Sequence, residues 1–147
     1  AMRTLNLPDR KKLLRTLSLA SNLMGQKLFA PPSVKGWDGG RAWISTSTMF
    51  MRQNTLLFLI TGQQPDGYAW DADSSNYDAY ALLGSNTKTT KQAVRYLLTT
   101  LLCNPNIQQE RQEALLDYLK TQHNVVDNRT VTGLLTLITS MPEYQLS

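Results

Sequence analysis

Leu13, Leu17, Ala20 and Met24 recur at steps of three or four residues, the stripe of one helix face. Pro8 and Asp9 suit the start of such a helix, with a preset φ in the first turn and a carboxylate near the positive end of the dipole. Gly25 stands where a left-handed cap would close it, so the pattern predicts a helix from about Asp9 to Met24. Periodicity then lapses from Gln26 to about Ile44. Pro31 and Pro32 remove two backbone donors there, but Phe29, Val34, Trp37 and Trp43 argue against disorder. The expectation is an ordered loop pinned to the helices by these apolar groups. Ser45, Thr46, Ser47 and Thr48 offer cap oxygens for a second helix, which ends at Gly62. Its later half, Leu56-Leu57-Phe58-Leu59-Ile60, is apolar on every side and should be surrounded by other helices.

A second long loop runs from Gly62 to Ser74, followed by a short helix from about Asn76 to Leu83. Val94, Leu97, Leu98, Leu101 and Leu102 fit the amphipathic template in full, and Cys103 ends that stripe as a core thiol. Asn104 and Pro105 restart the chain as cap and first turn. The next helix has its apolar seam at Ala114, Leu115, Tyr118 and Leu119. A turn spans His123 to Asp127, Val131, Leu134, Leu135 and Ile138 stripe the last helix, and Pro142 stops it. No alternating strand pattern occurs. The fold class expected is all-α: an irregular bundle of five to six helices with two long ordered loops and no sheet, forming a single helical domain over residues 1–147.

Composition changes this picture little. The 147 residues are 41% hydrophobic and 18% charged, a globular profile. No apolar run approaches the roughly 18 residues of a membrane span, and the opening residues do not read as a signal peptide. Ala1-Met2 reads as a cloning remnant. A single Cys excludes an internal disulfide framework and a cysteine-based zinc cage. The formal charge of +4 is too small to suggest a nucleic-acid groove. Its distribution is uneven, with Arg3, Arg10, Lys11, Lys12 and Arg15 crowding the first helix and Asp66, Asp71, Asp73 and Asp78 the middle. The basic stripe could meet phosphates or anionic lipid, or be a solvated helix face.

Candidate chemistry is sparse. His123 is the one histidine, without a second ligand at metal spacing, and suits an exposed turn. Asp71, Asp73 and Ser75 match the opening of a calcium loop, but Asn76 replaces its glycine and Leu82 its closing glutamate. Capping the short helix is the structural alternative for this serine-rich stretch. The tryptophans Trp37, Trp43 and Trp70 lie in or beside the long loops, where rings stack on sugars or plug a core edge. Asn128-Arg129-Thr130 fits a glycosylation tripeptide. No phosphate-cradling glycine loop, nucleophile elbow or His-Glu metal helix is present. No cofactor and no nucleic-acid partner is expected.

The run Met24-Gly25-Gln26-Lys27-Leu28-Phe29-Ala30-Pro31-Pro32-Ser33-Val34-Lys35-Gly36-Trp37, continued through Trp43 and Ile44 to a Ser/Thr-rich helix start and Arg52, resembles the signature of the bacterial "domain of unknown function 1800" family. The ending Thr139-Ser140-Met141-Pro142-Glu143-Tyr144-Gln145-Leu146 is similar to that family's closing tail, with Met141 as a departure. The resemblance implies the C-terminal part of a longer, exported bacterial protein, often encoded beside a sulfatase- or phosphatase-like partner. It brings no catalytic residue with it. Three functions compete. The first is an interaction module that meets the N-terminal half of its own chain or a partner protein across a groove braced by the Phe29–Trp43 loop. The second is one wall of an enzyme site, with Lys35, Arg41 and Arg52 on an anionic substrate. The third is a glycan-binding surface on Trp37 and Trp70, next to Asp71 and Asp73.

Overall fold

A computed structural model describes residues 10–37 (side chains from residue 14), 44–63, 67, 78–83, 87, 89–102 and 109–145. Among these, all regular structure is helical: α1 (Arg10–Leu23), α2 (Thr46–Thr61), a 3-10 turn (Tyr80–Leu82), α3 (Thr90–Leu101), α4 (Gln109–Thr121), α5 (Asn128–Ser140) and α6 (Pro142–Gln145). The all-α class read from the sequence is the one observed. The chain forms two compact units, Ala1–Tyr77 and Asp78–Ser147.

In the first unit α1 packs on α2. Gly25 closes α1 with φ of 78°, its N–H donating to the Asn22 carbonyl while the Gln26 N–H reaches the Ser21 carbonyl. That is a Schellman ending, which satisfies carbonyls the helix itself leaves unpaired. The α1 face turned inward holds buried Thr16 and Ala20 and half-buried Leu17 and Met24. Ser45 starts α2 with a reciprocal capping box to Thr48, and Gly62 ends it in the left-handed region, its N–H on the Phe58 carbonyl at 2.9 Å. Met51 and Phe58 form the small core, with Met24 and Leu59 packed against it. The later half of α2 is not enclosed as expected. Only Phe58 of that run is buried; Leu56, Leu57, Leu59 and Ile60 are half-buried, and Phe50, about two turns before Phe58, is 67% exposed.

In the second unit α5 is the centre, in contact with α3, α4, α6 and the 3-10 turn. The expected stripe is fully internal: Val131, Leu134, Leu135 and Ile138 meet Val94, Leu97 and Leu98 of α3 and Leu115 and Leu119 of α4 in one buried set. The expected α4 seam needs one correction, because Ala114 is exposed and Tyr118 only half-buried. Tyr118 lies over Gly133 of α5, where an added Cβ would collide with the phenol oxygen and the ring. Pro142 stops α5 as expected, the residue before it being extended, and it does more. Met141 already caps α5, and Pro142 opens α6, where its missing N–H costs nothing. Two bonds fasten α6: Arg111 Nε donates to Glu143 Oε1 at 2.7 Å, and buried Gln145 Nε2 to the Thr139 carbonyl at 2.6 Å. His123 is exposed in the turn after α4, at φ of 57°. Cys103 and the Asn104-Pro105 restart lie outside the described residues, as do Asn76 and Tyr77 at the start of the predicted short helix; its described residues, 78–83, form only the 3-10 turn in place of the expected helix.

Candidate functional site

The residues singled out in the sequence divide sharply. Arg41, Trp43, Trp70, Asp71, Asp73 and Ser75 lie outside the described residues, and the calcium loop and the Trp37–Trp70 pairing with them. Lys35, Trp37 and Arg52 are described. Lys35 is exposed on the loop after α1, its N–H donating to Ser33 Oγ at 3.2 Å. Trp37 follows at 40% exposure. Arg52 is half-buried on α2 and engaged in bonding of its own. Among the described residues, no group of three His, Cys, Asp or Glu side chains is placed to hold a metal ion.

The bracing role expected of the first loop does not hold for its described part. Phe29 is 98% exposed and Val34 fully exposed, so neither pins the loop to a helix. The physical reason is local: short turns put these side chains at corners, and a turn corner points away from its own backbone. The first helix also differs from a simple one-sided stripe. Besides its packed face, α1 carries Leu14, Leu19 and Leu23, each more than half exposed. Leu19 and Leu23 are one turn apart and form an exposed ridge. This second face was legible as extra leucines outside the core stripe.

The second unit holds two surface depressions that sequence spacing alone did not indicate. One, of about 530 Å³, lies between α3 and α4 and is lined by Lys91, Val94, Arg95, Gln109, Gln112, Glu113 and Leu116. Its α3 wall is cationic and its α4 wall carries Glu113, which accepts from Gln109 Nε2 at 2.8 Å. The other, of about 240 Å³, is lined by Glu110, Arg111, Ala114 and Met141, beside the Arg111–Glu143 pair. Glu143 Oε2 is buried there without a hydrogen-bond partner. Neither depression brings together a nucleophile, a base and an oxyanion donor, the minimum for covalent chemistry.

Among the described residues, two exposed groups beside helix ends have displaced proton affinities. Asp127 caps α5, accepting the Thr130 N–H at 2.8 Å, and this hydrogen bonding holds its carboxyl below the usual range. A hydrogen bond from Lys120 to Asp117 at 2.7 Å raises the lysine. The glycosylation-like tripeptide is occupied structurally: Asn128 Oδ1 accepts the Tyr80 N–H at 3.2 Å, and Thr130 completes the Asp127 capping box.

Comparison with known proteins agrees with the sequence resemblance. The family model described as "Protein of unknown function (DUF1800)" matches residues 1–146. No curated protein and no solved structure matches the chain. No helix among the described residues is long and apolar enough to cross a membrane.

Proposed function

Because the chain belongs to the DUF1800 family of proteins of unknown function, we propose that it works as a helical interaction module, the C-terminal part of an exported bacterial protein. The observation that carries this reading is the outward leucine ridge of α1. Leu19 and Leu23 stand more than half exposed on a helix whose other face already packs on α2. Apolar side chains left in water at helical spacing fit a helix-in-groove or helix-on-helix contact. The preceding portion of the same polypeptide is the first partner proposed, and a sulfatase- or phosphatase-like exported protein the second. The test supplies that preceding portion as a separate polypeptide and measures association by sedimentation. Leu19→Ser/Leu23→Ser should weaken it at least about thirtyfold, the effect of a single hot-spot truncation of about 2 kcal/mol. Melting should fall only slightly, because both side chains are already more than half exposed and serine costs roughly a few tenths of a kcal/mol of helix propensity. An unchanged affinity overturns the reading.

A second reading, a glycan-binding surface, takes its support from the partial exposure of Trp37. A sugar array on which Trp37→Ala binds as the parent chain does would remove it.

A further inference from the structure

Residues 26–37 carry no regular secondary structure, yet their backbone closes on itself. The Ala30 N–H donates to the Lys27 carbonyl at 3.2 Å, and the Gly36 N–H to the Ser33 carbonyl at 3.0 Å. These bonds define two consecutive β-turns, separated by Pro31 and Pro32, whose rings stiffen the connection. The corners are Leu28 and Phe29 in the first turn, Val34 and Lys35 in the second. All four side chains are exposed. Phe29 takes the third turn position at φ of 61°, a conformation that favours glycine and strains an aromatic residue. A large apolar side chain thus sits where folding gains nothing from it and local sterics oppose it. Such a residue is placed for something outside the fold.

The charges on the loop itself are cationic: residues 26–37 contain Lys27 and Lys35 and no Asp or Glu, and Asp38 is the next acid along the chain. Lys27 and Lys35 bracket the apolar corners, both exposed, and neither forms an ion pair among the described residues.

We propose that this double-turn loop seats the first unit on an anionic lipid bilayer. Leu28, Phe29 and Val34 enter the boundary between headgroups and acyl chains, while Lys27 and Lys35 meet lipid phosphates. Half-exposed Trp37 follows at the level where indoles favour the interface. A bilayer fits better than a folded protein for a geometric reason. The apolar groups project from two successive turn corners, so a folded protein would need pockets matched to each corner, whereas lipid closes around any projection. Apolar insertion beside lysines also satisfies the need for two weak signals in stable attachment to a surface.

The test sediments the 147-residue chain with phosphatidylcholine vesicles containing phosphatidylglycerol, and with phosphatidylcholine alone. Binding to the anionic vesicles should exceed that to the neutral ones and weaken as salt is raised. Phe29→Ser/Val34→Ser should lower the partition about a hundredfold, roughly tenfold for each apolar group kept from lipid, with melting unchanged. Lys27→Glu/Lys35→Glu should lower it at least about twentyfold on anionic vesicles only. Three results overturn the proposal: no binding to anionic vesicles at low salt, binding that the Phe29/Val34 variant retains, or capture of an acidic peptide in place of vesicles. This test uses no partner polypeptide and the one above uses no lipid, so the two readings fail separately.

Discussion

The two units dispose of their apolar residues in opposite ways. Among the described residues, the second unit buries thirteen hydrophobic side chains, from Ala79 to Met141, and the first buries Ala20, Met51 and Phe58. Large exposed hydrophobics run the other way, with eight in the first unit (Leu14, Leu19, Leu23, Leu28, Phe29, Val34, Trp37 and Phe50) and four in the second. Both sequences are rich in leucine, so composition does not separate them. Position does: in the second unit the leucines of α3, α4 and α5 share one interior, and in the first they point out along α1 and the loop. The second unit is therefore organised around its own core, and the first leaves much of its apolar surface uncovered.

The sharpest way to probe this contrast is to cut the small core. Phe58→Ala removes the largest buried side chain among the described residues of the first unit, at a cost of about 3–5 kcal/mol. Amide exchange in α1 and α2 should lose most of its protection. Retained protection would mean that the first unit rests on something other than Met51 and Phe58. A smaller effect is expected where Tyr118 of α4 lies over Gly133 of α5. Gly133→Ala gains about 1 kcal/mol or less of helix propensity, but forces Tyr118 off its seat at about 1–3 kcal/mol, so destabilisation should win. In a Tyr118→Ala background the same change should become neutral or stabilising, a coupling that a urea double-mutant cycle would read.

The smallest effect concerns Asp127. Its carboxyl is held below its ordinary value of 3.8 in the folded chain. The stability it adds is therefore complete above that value and disappears as pH falls through the lowered one. Asp127→Asn keeps a cap acceptor at every pH, so it should flatten this part of the acid limb in urea midpoints measured against pH. An unchanged acid limb would place the sensitivity elsewhere.

Helix boundaries were the most legible feature of the sequence, because they are decided within a few residues. Ser45 and Gly62 bound α2 as read, and Gly25 ends α1. The stripe of α5 was legible in full, since each of its four apolar positions is covered on all sides. Periodicity marks a face but not its cover, which is why the later half of α2 and the Phe29–Val34 stretch were read as enclosed. Pairs distant in sequence left no local trace: Arg111 meets Glu143 across 32 positions, and Tyr118 meets Gly133 across helices. Of the candidate site, the charges and rings of the first loop were visible; the turns that aim them outward were not, because the positive φ falls on Phe29 instead of a glycine.

One feature bears on how the chain acquires its shape. Ser45 with Thr48, Thr89 with Gln92, and Asp127 with Thr130 each lock a helix entrance by two reciprocal bonds within a single turn. Nucleating a helix is the slow, unfavourable step, and these locks lower it without any distant segment being in place. Three starting points can thus set their own direction and register as the polypeptide leaves the ribosome, leaving only docking for later.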